Sequence, residues 1–259
     1  MNKLKPLPEE WSGLLNNEQK EAIENINGPL LIIAGAGSGK TRVLTYRYAH
    51  LIKTYGINFE NVLAITFTNK AANEMKDRIS DLLNLELSPK WISTFHSLCV
   101  KMLRIHGHLI GFNNNFTIYD QSDSTKLVRN CMRDSDIDTK QYSPKRIQAH
   151  ISSLKNQRIL PGEAVEFAQS FFDVKVAEIY SSYQKKLMLA NSMDFDDLLI
   201  KAVELLETSD KSLNYWSSKF QYIMIDEYQD TNMVQYRLVE LLASKHKNIC
   251  VVGDSDQSI

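Results

Sequence analysis

The sequence predicts an α/β fold in which a parallel sheet carries helices on both faces and is interrupted by an inserted helical stretch. Three observations predict it. Apolar, strand-like runs alternate with helical periodicity over residues 29–55, 61–84 and 91–110, and the alternation returns at 220–252. A glycine-rich octamer, Ala34-Gly35-Ala36-Gly37-Ser38-Gly39-Lys40-Thr41, lies where the first of these runs becomes a helix. Residues from 105 to 192 hold helical stretches and turn signals but no convincing buried strand.

The first run, Pro29-Leu30-Leu31-Ile32-Ile33, is short, apolar and rich in β-branched residues, and it predicts a buried strand. From Lys40 onward the apolar spacing is helical, which puts the octamer on a strand-to-helix turn. Backbone N–H groups can wrap a phosphate there, because glycine permits close approach and the helix N-terminus adds partial positive charge. Lys40 would reach the β- and γ-phosphates of a nucleoside triphosphate, and the Thr41 hydroxyl would ligate Mg²⁺. Ala34 stands where the phosphate-loop pattern begins with glycine, and a residue this small still allows the turn.

Two further strand-to-helix junctions follow, Leu63 to Met75 and Trp91 to Ser97. The first brings Thr66, Phe67, Thr68 and Asn69 to its junction. The second brings Thr94 and His96. An aromatic ring among short hydroxyl and amide groups suits single-stranded nucleic acid, whose bases stack while its phosphates accept hydrogen bonds. Core packing is the other account of such aromatics, and a capping or core role the other account of His96. A further strand, Phe220 to Ile225, ends in Asp226 and Glu227. A carboxylate at the carboxyl end of a parallel strand is placed to hold Mg²⁺, and its neighbour can activate water. Together with the glycine-rich turn, this pair predicts nucleoside triphosphate hydrolysis.

The middle of the chain predicts helices at SDSTKLVRNCMRD and VKVAEIYSSYQKKLMLA, with turns at Ser143-Pro144 and Pro161-Gly162. The segment MDFDDLL at 193–199 reads as the start of an amphipathic helix capped by Asp194. Net charge is −1, so the whole surface is not a nucleic-acid glove, yet residues 101–160 hold ten Lys or Arg against five Asp. That bias fits either DNA-backbone binding, with Lys145, Arg146, Lys155 and Arg158 as the contacting cations, or a solvated helical surface. Cys99, Cys131 and Cys250 are widely spaced and suggest neither a disulfide framework nor a zinc site. The amino terminus lacks an apolar leader, and no apolar run approaches membrane-spanning length, so a reducing cytoplasmic setting is expected.

The ordered set Leu15-Asn-Asn-Glu-Gln19, AGAGSGKT, AITFTNKAANEM, WISTFHSLC, MDFDDLL, IDEYQDTN and VVGDSDQSI resembles the amino-terminal portion of a superfamily 1A DNA helicase of the UvrD/Rep/PcrA type. The resemblance covers nearly the whole chain, and the DEYQ, AITFTNKAA and WISTFHS phrases draw it toward the PcrA branch. It implies a P-loop NTPase (RecA-like) domain 1A over 1–104 and 193–259, with an all-helical subdomain 1B inserted at 105–192. It implies ATP and Mg²⁺ as ligands, and single-stranded DNA and single-strand/duplex junctions as partners.

Residue by residue, Gln19 matches the glutamine that reads the adenine edge, although by itself it is equally a helix residue near an N-cap. Ala34 to Gly39, with Lys40, Thr41 and Arg42, match the nucleotide contacts. Asp226 matches the metal carboxylate and Glu227 the catalytic base. Gln229 and Gln257 match polar groups linking the γ-phosphate to the DNA site. Thr66, Phe67, Asn69, Thr94 and His96 match single-strand contacts. The resembled proteins continue past the position of Ile259 into a second motor domain whose arginines close over the γ-phosphate. By that resemblance the chain is a truncated portion, able to bind ATP and poor at turnover. The helicase–nuclease subunits that share these motifs, and a non-catalytic ATP-binding module, are the competing readings.

Overall fold

The computed structural model describes residues 5–35, 37–85 and 89–254. In chain order the chain forms α1 (Glu9–Ser12), α2 (Asn17–Glu24), β1 (Leu30–Ile33), α3 (Lys40–Lys53), β2 (Val62–Thr66) and α4 (Asn69–Leu83). Next come β3 (Ile92–Thr94), α5 (Phe95–His106), β4 (Thr117–Ile118), α6 (Gln121–Asp134), α7 (Pro144–Asn156) and α8 (Phe171–Leu189). The last are β5 (Ser192–Met193), α9 (Phe195–Thr208), α10 (Asp210–Lys219), β6 (Tyr222–Ile225), α11 (Met233–Ala243) and β7 (Ile249–Gly253). These fall into two compact units, one of residues 1–98, 210–231 and 239–259, the other of 99–209 and 232–238. Helix α9, which the sequence reading grouped with the sheet, belongs to the second unit.

The first unit is built on a five-stranded sheet in the order β1-β7-β6-β2-β3, with every pairing parallel. Parallel pairing puts all five carboxyl ends on one rim, the rim where open α/β sheets hold ligands. Ala64, Met224, Cys250 and Val252 point from the strands into a core closed by Leu44, Tyr48 and Leu51 of α3 and by Met75 and Ile79 of α4. A second cluster joins Trp11, Leu15 and Ile23 to Val43, Tyr46 and Ala49 of α3. Each fully buried aliphatic side chain of this kind contributes about 1.5–3 kcal/mol.

The expectation of a buried first strand is corrected. Leu30 and Ile32 are half-buried, but Leu31 and Ile33 are 59% and 64% exposed. Among the described residues β1 pairs with β7 alone, so it stands at the sheet margin and packs only one of its faces.

In the second unit α6, α7 and α8 pack around Val128, Ile147, Ile151, Val176, Tyr180 and Leu187. Asp120 caps α6 and Ser170 caps α8, each accepting the amide three residues on. Ser143-Pro144 is a helix start, with proline in the first turn of α7, where its missing N–H costs nothing. The expected all-helical character is corrected at one place: Thr117–Ile118 and Ser192–Met193 form a short parallel pair. Asp194 caps α9 through a reciprocal box with Asp197.

The basic stretch is also reassigned. Lys155 is wholly buried, its ammonium 2.6 Å from Asp194 and 2.8 Å from Asp197, so it offers nothing to a DNA backbone. Burial opposes its charge, but attraction to Asp197 and Asp194 outweighs burial and raises its pKa. Arg158 pairs with Glu207, and Arg146 lies over the Phe172 ring. Lys145 remains exposed. Among the described residues no helix is long and apolar enough to cross a membrane.

Candidate functional site

Three strands of the first unit deliver the groups expected to handle a nucleotide. The glycine-rich turn leaves β1, Asp226 and Glu227 leave β6, and Asp254 leaves β7. Gly37 and Gly39 have φ of 76° and 90°, backbone that a side chain would strain, and the second of these starts α3. The α3 N-terminus therefore opens directly onto the turn with its first N–H groups unpaired within the helix. Ala34 donates its amide to the Gly253 carbonyl at 3.1 Å, which ties the root of the turn to the end of β7.

Lys40 and Thr41 form the first turn of α3. The Lys40 ammonium donates to the Ala34 carbonyl and to Asp254 Oδ2, both at 3.1 Å, with side chains 8% and 2% exposed for Lys40 and Asp254. The Thr41 hydroxyl donates to Asp226 Oδ2 at 2.9 Å. Asp226 is 4% exposed, and its amide continues the β2–β6 ladder by donating to the Ile65 carbonyl. Burial pushes the Asp226 carboxyl above its ordinary pKa, against the Thr41 hydrogen bond.

Glu227 turns out of the strand through a left-handed conformation, φ 51° and ψ 47°, rare for a side-chain-bearing residue. Its carboxylate accepts from the Gln229 side-chain amide at 2.7 Å, and the Gln229 carbonyl oxygen accepts from the Asp254 amide at 3.1 Å. Gln229 thus bridges the end of β6 to the end of β7. Gly253 makes room for it: a Cβ there would lie 3.1 Å from Gln229 Oε1.

Gln19 serves the start of its own helix and also reaches the glycine-rich turn. It completes a capping box with Asn16 at the start of α2, and its Nε2 donates to the Ser38 carbonyl at 3.1 Å. Arg42 is exposed, with its guanidinium 5.6 Å from the Tyr46 ring centre. Ala36 and Gln257 lie outside the described residues.

The oxygen donors fit a magnesium ion. Thr41 and Asp226 place two hard oxygens side by side next to the turn, and Mg²⁺ is characteristically held by one or two protein oxygens plus phosphates and water. Among the described residues no cluster of three His, Cys, Asp or Glu forms a metal cage.

The remaining candidates sit at the ends of β2 and β3 on the same rim. Phe67 is half-buried, edge-on to Phe95 with centroids 5.7 Å apart. Asn69 is exposed at the start of α4, and His96 is half-buried in the first turn of α5. Thr66 and Thr94 are buried, and their hydroxyls serve local bonds to the Thr68 carbonyl and Ser97 Oγ. Sequence reasoning did not find Asp254 as the partner of Lys40. Its position directly after an apolar strand, as with Asp226, was the available signal.

The family model for the UvrD/REP helicase N-terminal domain matches residues 15–259. Curated relatives include the ATP-dependent DNA helicase PcrA of Staphylococcus aureus and that of Staphylococcus epidermidis, each 49% identical over 245 residues. Each alignment covers 95% of this chain and 34% of the relative, so the chain spans about a third of the length of these proteins.

Proposed function

The chain belongs to the UvrD/REP helicase family, whose N-terminal domain it carries, and we propose that it is the nucleotide-binding part of a motor that hydrolyses ATP to move along single-stranded DNA. In this reading the sheet unit is the RecA-like domain 1A and the helical unit is the inserted subdomain 1B. The observation that carries the reading is the convergence of Lys40, Thr41, Asp226 and Glu227 at the carboxyl ends of β1 and β6, which flank β7.

Each residue has a distinct task. The turn amides and Lys40 hold the phosphates, and Gln19 presents an amide able to donate to and accept from an adenine edge. Thr41 and Asp226 would hold Mg²⁺, which when bound neutralises charge on the transferring phosphoryl group. Glu227 takes the proton of the attacking water, and Gln229 fixes the direction of its carboxylate. Phe67, Asn69 and His96 offer a ring and polar groups to a single strand crossing the rim. Duplex separation and 3′-to-5′ movement follow from kinship with the family.

Steady-state phosphate release with Mg·ATP, with and without single-stranded DNA, tests the proposal, with Lys40→Ala as the blank. ATP binding that Lys40→Ala abolishes supports the nucleotide site. In the complete protein, Glu227→Gln is expected to bind ATP within about threefold of the parent and to lose at least ~10²-fold in turnover. Retained turnover would remove Glu227 from the role of base.

A further inference from the structure

Lys40 already has an anionic partner. Its ammonium lies 3.1 Å from Asp254 Oδ2 in a contact that is almost wholly shielded from water. A shielded ammonium needs a counter-charge, and the nucleotide phosphates assigned to Lys40 above would be a second one. Phosphate and Asp254 carboxylate held on the same ammonium would repel one another, so the stable arrangement keeps one of them.

Asp254 is also tied to the catalytic side of the site. Its backbone amide donates to Gln229, and the same Gln229 amide group donates to Glu227. Gly253 leaves no slack in this link, because an added Cβ would already press on Gln229 Oε1. A shift of the Asp254 backbone therefore moves the group that orients Glu227.

We propose that Asp254 stands in for the phosphate on Lys40 while the site is without nucleotide, and that the incoming phosphate displaces it. The displacement passes through Gln229 to the Glu227 carboxylate. Asp254 is then a positioning residue that reports phosphate occupancy to the base. This rests on the ATP-binding reading of the site.

The test compares ATP with adenosine, which lacks the displacing group, by calorimetric titration of the 259-residue chain. If Asp254 holds Lys40 about nine-tenths of the time, its removal should tighten apparent ATP affinity about tenfold. Asp254→Asn is expected to bind ATP about tenfold more tightly and adenosine unchanged. Hydrogen exchange on the parent chain supplies a second readout that needs no variant. ATP should speed exchange at the Asp254 amide, and adenosine should leave it unaltered.

ATP affinity unchanged or weakened in a folded Asp254→Asn, or equal exchange with both ligands, would overturn the displacement while leaving the ATP site standing. If ATP bound the parent chain and Lys40→Ala equally, the ATP reading itself would fall, and this proposal with it.

Discussion

Replacing Lys155 with methionine keeps most of the side chain's volume and deletes its charge. In the structure that charge faces Asp194 at 2.6 Å and Asp197 at 2.8 Å, and the three side chains are 0%, 10% and 2% exposed. The two carboxylates would remain with the Tyr183 hydroxyl, the Gln184 amide and the capping-box amides, but without a counter-ion. Removing one partner from a buried pair costs about 3–5 kcal/mol, and the surviving hydrogen bonds favour the lower end. A loss of about 3 kcal/mol corresponds to a fall of roughly 10 °C in the melting temperature of a domain this size.

Hydrogen exchange at α7, α8 and α9 is the suitable assay, because Trp11, Trp91 and Trp216 all lie in the first unit and tryptophan fluorescence misses the second. The defect should also depend on pH with a definite sign. Burial already raises the Asp197 carboxyl against the pull of Lys155, and deleting Lys155 raises it further. A carboxyl raised on folding contributes stability at low pH that is lost as pH rises, so the variant's deficit should shrink between pH 7 and pH 5. A deficit under about 1 kcal/mol at pH 7, or one that grows on acidification, would refute the view that an uncompensated buried charge sets the cost.

Three other substitutions probe separate features. Gly39→Ala meets both φ of +90° and Gln19 Nε2 3.0 Å from the new Cβ, so ATP affinity should fall at least about tenfold, by titration, from strain of about 1–2 kcal/mol plus the displaced amide. Gly253→Ala should loosen Gln229, lowering turnover in the complete protein about tenfold while ATP affinity stays within about threefold, a split that steady-state kinetics reads directly. His50 is fully buried, and burial lowers its pKa against the opposing pull of Glu24 and a backbone hydrogen bond at Lys5. A base lowered on folding loses stability as pH falls below its unfolded value of about 6.5, so His50→Leu should flatten urea-melt stability between pH 6.5 and pH 5 relative to the parent.

The sheet and its rim were legible because each strand is an apolar run ending in polar groups, and β-strand geometry carries those groups to one edge. Asp226, Glu227 and the glycine turn needed only that rule. Other features depended on partners remote in sequence. Lys155 lies four residues after Ile151 and eight after Ile147, both buried on α7, so helical spacing did place it on the inward face. Its charge concealed this, because the carboxylates that permit burial come about forty residues later. The β4–β5 pair is two residues long and has no period to read. Leu31 and Ile33 misled for the opposite reason: four consecutive apolar residues predict burial on two faces, and sheet order, which decides it, is absent from a local window.

The pairing of β1 with β7 sets how the site can flex. Ladder partners run from Leu30 with Cys250 to Ile33 with Gly253, and the Ala34 amide adds one more rung. The glycine-rich turn and Asp254 therefore spring from adjacent prongs of one short fork, about one strand spacing of 4.8 Å apart at the base. A tilt of β7 carries both prongs together and leaves Lys40 in reach of Asp254. Parting them takes a backbone change at Asp254, where its amide meets Gln229, together with rotation of its side chain. A group competing with Asp254 for Lys40 would therefore act first on a few torsion angles at the tip of the fork, with the ladder holding the sheet beneath.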